Sequence, residues 1–172
     1  RVLLIDADLR RSSVSTELGI TAGSPGFADL MAGAKRQLAD VIKRPEPCRF
    51  DVLPAGSSSY PIQKLFRSPQ FAQVLAAARE RYDYVLLDTP PALVVSDPLV
   101  GATNVDAVLL VTRSNRTRID SLKRAVDILQ QGSVRLIGVV LNQQSGRDSE
   151  GYYYYYYASE YYTADDKANR SS

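Results

Sequence analysis

The chain of 172 residues contains no histidine. Without imidazole, neither a Ser-His-Asp nor a Cys-His nucleophile system can be built in the usual way, and zinc sites that depend on histidine are excluded. Its one cysteine, Cys48, has no internal disulfide partner, which suits a reducing compartment. No run approaches the roughly 18 apolar residues that signal a membrane span, and the first residues do not read as a signal peptide. Neither sign of charge dominates: 21 Lys and Arg meet 19 Asp and Glu, and the net +2 gives no footprint for nucleic acid. Any chemistry must use Asp, Glu, Lys, Arg, Ser, Thr, Tyr or backbone groups.

What is present is enough for a folded body. The apolar fraction of 45% excludes global disorder, and the length fits one domain of roughly 100–200 residues. Composition changes sharply near Ser145. Residues 146–172 hold eight of the eleven tyrosines, almost no aliphatic residue, five acids (Asp148, Glu150, Glu160, Asp165, Asp166) and three bases (Arg147, Lys167, Arg170). The sequence thus divides into a domain over 1–145, with net charge +4, and a flexible tyrosine-rich tail over 146–172, with net charge −2. At this magnitude salt largely screens any attraction between them.

The body alternates short apolar runs with helical periodicity. Val2–Ile5, Tyr84–Leu87, Ala107–Val111 and Leu136–Leu141 are continuous apolar stretches, the pattern of strands buried on both faces. Phe50–Leu53, closed by Pro54-Ala55-Gly56, is a further candidate. Ser68-Pro69 is an N-cap followed by proline at the first helical position, and Phe71, Val74, Leu75 and Ala78 then fall on one helical face. Thr117-x-x-Asp120 resembles a capping box, Leu122, Ala125, Val126 and Leu129 repeat the apolar spacing, and Gly132 ends the helix. The alternation predicts an α/β fold with a mostly parallel sheet flanked by helices. Ligands of such sheets bind beyond the carboxyl ends of strands.

Those ends carry acids. The first strand runs into Asp6-Ala7-Asp8-Leu9-Arg10-Arg11. Two carboxylates at i and i+2 leave a strand on the same side, and like charges that close call for a cation or a proton. Mg²⁺ accepts such an arrangement. Alternatively Asp6 and Asp8 are turn and N-cap residues beside two arginines. The second apolar strand ends in Asp88-Thr89-Pro90-Pro91. A carboxylate closing an all-apolar strand is the Walker B arrangement, which holds Mg²⁺ or its waters beside nucleotide phosphates; an ordinary strand-to-turn Asp is the alternative. Asn142 follows the last strand, where its amide can meet a base edge or simply occupy a turn.

These residues carry a resemblance. VLLIDADLRR at 2–11 is similar to the Walker A′ segment of bacterial tyrosine kinases, the P-loop autokinases of polysaccharide export. FDVLPAG at 50–56, RYDYVLLDTPP at 81–91, SDPL at 96–99, DAVLLVTRSNRTR at 106–118 and GVVLN at 138–142 match that family in order and spacing, and the tyrosine cluster is its other hallmark. The resemblance implies a P-loop NTPase-like fold of the deviant Walker type. It implies ATP and Mg²⁺ as cofactors. Asp6 and Asp8 become the A′ acids, with Asp6 the better candidate for the base of the tyrosine hydroxyl and a metal residue. Asp88 becomes the Walker B acid organising Mg²⁺, and Asn142 lies at the adenine. Tyr152, Tyr153, Tyr154, Tyr155, Tyr156, Tyr157, Tyr161 and Tyr162 become phosphoacceptors, used largely in trans.

The resemblance further implies a ring-like homo-oligomer, a membrane activator or polysaccharide co-polymerase domain, fused or separate, and a place on the cytoplasmic face of the bacterial inner membrane. Exopolysaccharide or capsule biosynthesis is the expected process. A deviant-Walker positioning ATPase of the partition or septum-site type, or a non-catalytic phosphoacceptor module, are the other readings. One departure is large: no Gly-Lys-Ser or Gly-Lys-Thr occurs, so the phosphate-cradling G-x-x-x-x-G-K-[ST] loop is absent. The expectation is a fragment lacking its N-terminal P-loop unit, a poor binder of ATP and inactive alone. Ser12, where proline is common, and SSSYP at 57–61, where Asn-Pro is usual, are smaller departures.

Overall fold

The computed structural model describes residues 1–57, 60–93, 102, 104–132 and 134–144. Strand β1 (Val2–Asp6) lies at the centre of a parallel sheet, with β2 (Asp51–Leu53) on one side and β3 (Tyr84–Asp88) on the other. Strands β4 (Val108–Arg113) and β5 (Leu136–Asn142) form a second parallel pair, with an irregularity in register at Val108 and Leu109. A single antiparallel bridge from Lys43 to Val52 occupies the outer edge of β2. All strand pairings named here are parallel, as the apolar runs predicted.

The helices are α1 (Ser13–Glu17), α2 (Phe27–Met31), α3 (Leu38–Val41), α4 (Ile62–Leu65), α5 (Pro69–Arg79) and α6 (Ile119–Gln131). None of the described helices is long and apolar enough to cross a membrane. Helix α5 forms as the sequence predicts. Ser68 Oγ accepts the Phe71 N–H at 3.2 Å, Pro69 fills the first helical position, and Phe71, Val74, Leu75 and Ala78 are buried. Phe71 meets Phe27 and Phe66 edge-on, with ring centroids 6.2 and 5.3 Å apart. Around this contact Leu3, Ile5, Leu53 and Leu65 complete the core under β1 and β2. A fully buried Phe or Leu contributes roughly 1.5–3 kcal/mol.

Two expectations are revised. The capping box at Thr117 does not form. Arg118 is the N-cap of α6 and makes no side-chain cap bond, while Thr117 Oγ1 accepts the Arg113 N–H at 2.9 Å. The hydroxyl closes the turn out of β4 instead. The strands are not all buried on both faces. β1 buries Leu3 and Ile5 on one face and leaves Val2 and Leu4 half-buried on the other, and β3, β4 and β5 leave Tyr84, Leu86, Leu109, Val111, Ile137 and Val139 exposed.

Candidate active site

Asp6 and Asp88 close their strands as register partners, and the Ala7 N–H donates to the Asp88 carbonyl at 2.8 Å, so the pairing continues past both carboxylates. Asp6 is fully buried, and neither of its carboxylate oxygens has a hydrogen-bond partner. Burial pushes its carboxyl up to about 6, and the Asp88 charge adds to this. The nearby backbone N–H groups of Asp8 and Ser15 pull weakly the other way without reaching hydrogen-bond geometry, and the Asp8 charge adds a smaller push upward. Asp88 is exposed at its strand end, and its carboxyl is also raised, first by partial desolvation and then by the Asp8 charge. The structure therefore brings Asp6, Asp8 and Asp88 within electrostatic reach of one another.

Asp8 takes up the turn role that was its alternative reading. Its Oδ1 accepts the N–H groups of Arg10 and Arg11, each at 3.1 Å, so one oxygen shapes the turn after β1. Its charge still bears on both other acids.

An ionised carboxylate buried without a partner is unfavourable by several kcal/mol, so the orphaned Asp6 calls for a proton or a cation. Among the described residues no three His, Cys, Asp or Glu side chains converge into a metal cage. Mg²⁺ keeps several waters and takes one or two carboxylates together with substrate phosphates. Asp6 and Asp88 fit that requirement.

Asn142 closes β5 opposite Arg113 of β4 and is exposed. Its Oδ1 accepts the Gln143 N–H at 2.8 Å, and Gln143 takes a left-handed backbone with φ 57°. The Gln143 side chain in turn accepts from Arg113 Nε at 2.9 Å. Asn142 thus keeps its amide N–H₂ as the group it can offer a ligand. The tail tyrosines Tyr152–Tyr157, Tyr161 and Tyr162, and the SDPL segment at 96–99, lie outside the described residues.

Sequence reasoning missed Asp29, which is buried in the first turn of α2. It accepts the Gly26 N–H at 2.8 Å, the Ser57 N–H at 2.9 Å and the Ser57 hydroxyl at 3.0 Å. The available signal was an acid three residues after a glycine, half of a capping box, just before an apolar pair.

Ligands of parallel α/β sheets bind beyond the carboxyl ends of the strands, where Asp6 and Asp88 lie. Residues 1–134 match the AAA domain family. A tyrosine-protein kinase wzc of Salmonella typhi is 34% identical over 167 residues, covering 97% of this chain and 23% of that protein. A putative tyrosine-protein kinase EpsB of Ralstonia solanacearum is 35% identical over 142 residues, covering 83% of this chain and 19% of that protein. The crystal structure of the VpsO kinase domain superposes with a TM-score of 0.77 at 36% identity, covering 84% of this chain and 70% of that one. The chain belongs to the AAA domain family, in its branch of bacterial tyrosine kinases with a P-loop NTPase-like fold. It spans about a fifth of the length of these curated relatives.

Proposed function

We infer that this chain is catalytic sequence of an ATP-dependent protein-tyrosine autokinase that serves exopolysaccharide or capsule biosynthesis. The observation that carries the reading is the fully buried, partnerless Asp6 carboxylate paired in register with Asp88. The kinase names of its relatives supply the reaction class.

Asp6 and Asp88 would hold Mg²⁺, which when bound neutralises charge on the transferring phosphate. Asn142 would donate its amide N–H₂ to the adenine. The acceptor is a tyrosine hydroxyl with pKa about 10, which needs a carboxylate to take its proton at neutral pH. Asp6 is the favoured acceptor because it is a buried carboxylate with neither oxygen committed to a hydrogen bond. Its burial requires that the proton arrive through a bridging water. The phenolic oxygen attacks the γ-phosphorus of ATP, the bond to ADP breaks, and Asp6 receives the proton. Acceptors are Tyr152–Tyr157, Tyr161 and Tyr162, in a tail over 146–172 that follows a kinase domain over 1–145, presented largely in trans within a ring of copies. The full-length protein works at the cytoplasmic face of the inner membrane with a fused or separate membrane activator.

The test uses the full-length natural protein incubated with MgATP, with phosphates mapped by mass spectrometry beside an Asp88→Asn control. Tail phosphotyrosine that disappears in the control is the expected result. ATP turnover with an unmodified tail overturns the kinase reading.

A further inference from the structure

A groove of about 470 Å³ runs along α5, walled on its far side by the end of α2 and the segment entering α3. The residues that α5 and its last turn contribute are Gln70, Gln73, Val74, Ala77 and Arg81, a single helical stripe. At 1.5 Å per residue the stripe is about 16 Å long, which matches about five residues of extended chain. The floor is apolar, for Leu30, Leu38 and Val74 belong to the core and reach the groove. The rim is cationic: Arg36 and Arg81 line it, and no carboxylate does. Both are exposed, and the ion pairs among the described residues engage other arginines. Two uncommitted guanidiniums thus stand over an apolar strip.

Such a groove takes a ligand with an apolar body and a terminal anion. An aromatic ring covers the floor, and a guanidinium grips a phosphate through two parallel hydrogen bonds. Phosphotyrosine joins both parts in one side chain. This chain carries eight tyrosines between 152 and 162, six of them consecutive, in a tail of net charge −2. In an extended run alternate rings face one side, so a footprint of about five residues lays up to three rings on the floor. Each phosphate adds about −1.5 to −2 charges, which the cationic rim complements. We propose that the groove between α5 and the α2–α3 segment binds the phosphorylated form of this chain's own tyrosine tail, within residues 152–162, with phosphates on Arg36 and Arg81. Asp6 and Asp88 do not line the groove, so the site is separate from the metal acids. The inference rests on the kinase reading and adds to it a site that retains the reaction's product.

The experiment measures binding of a fluorescent synthetic peptide of residues 149–164 to the full-length protein by anisotropy, without ATP. One peptide carries phosphate on Tyr152, Tyr154 and Tyr156, and the other is unmodified. The phosphopeptide should bind at least about tenfold more tightly. Arg36→Ala and Arg81→Ala should each weaken it by about tenfold, the worth of a charged hydrogen bond, and leave the thermal midpoint unchanged because both side chains are exposed. Asp88→Asn should leave the phosphopeptide affinity unchanged, which separates the groove from the metal acids. Phenyl phosphate should displace the peptide at lower concentration than inorganic phosphate, because only the former covers the floor. Equal affinity for the two peptides, or a phosphopeptide affinity unmoved by both arginine variants, overturns the inference. Tail phosphorylation by the full-length protein with MgATP, read in parallel, then leaves the kinase reading standing. A protein that modifies no tail tyrosine overturns both.

Discussion

Asp88 is the strongest charge acting on Asp6, its register partner across β1 and β3. Together with burial it holds the Asp6 carboxyl near 6 against an ordinary 3.8. Between those values the folded chain binds the proton more tightly than the unfolded one. This group's contribution to stability is therefore fully present below pH 3.8 and is lost as pH rises through 6. The loss is on the order of 3 kcal/mol. Asp6→Asn should remove that pH dependence and stabilise the metal-free fold at pH 7, as measured by urea denaturation from pH 3.5 to 7.5. Added Mg²⁺ should raise the thermal midpoint of the wild type and leave that of D6N unmoved.

Tyr82 hydroxyl donates to Asp51 Oδ2 at 2.8 Å, while Arg44 Nε holds the other oxygen at 2.6 Å. Burial and then the Asp51 hydrogen bond push the Tyr82 hydroxyl up to about 12 from 10. Its contribution is fully present below pH 10 and is lost as pH rises through 12. Tyr82→Phe should cost about 1 kcal/mol at pH 7. The difference between wild type and variant should vanish at the alkaline end of a pH series of urea melts.

Gly26 and Gly33 should respond differently to alanine. Gly26 has an ordinary extended backbone but no room, with the Pro54 carbonyl 2.1 Å from a new methyl. Gly33 has open space but a left-handed backbone, φ +78°. Steric overlap against backbone should cost about 3 kcal/mol in Gly26→Ala. Backbone strain alone should cost about 1–2 kcal/mol in Gly33→Ala. Equilibrium denaturation of the two variants checks the order.

Ser68→Ala removes the acceptor for the Phe71 N–H at the start of α5. It should lower stability by about 1 kcal/mol, and Ser68→Asp should recover most of it. Amide hydrogen exchange at Phe71 reports the cap directly.

The sequence was most informative where a signal was both local and strong. The Ser68-Pro69 start of α5 and its buried face formed as expected, because cap, proline and periodicity agree. Asp6 and Asp88 stood out as acids ending apolar runs, and the sheet places them in register. Helices α1 to α4 carry only four or five residues each, too few for a periodic pattern to emerge. Thr117 showed a capping signature but serves β4, since a hydroxyl answers to whichever backbone N–H the turn brings nearest. The exposure of one face of β3 and β4, and of both faces at the end of β5, was unreadable because those strands are apolar on both sides. Asn142 could be placed at a strand end, but the orientation of its amide depends on Gln143, which no pattern foretells.

The Lys43 bridge gives the molecule a polarity of growth. On the β2 side the backbone of the sheet is sealed, and a stray strand finds no ladder there to join. On the other side, among the described residues, β3 pairs only with β1 and β4 only with β5, and both present bare aliphatic rows. Self-association of this chain should therefore begin from one flank and stop at the other. Charged substitutions at Leu86 and Val111 would keep it dispersed, whereas the same changes near Lys43 would do nothing for solubility.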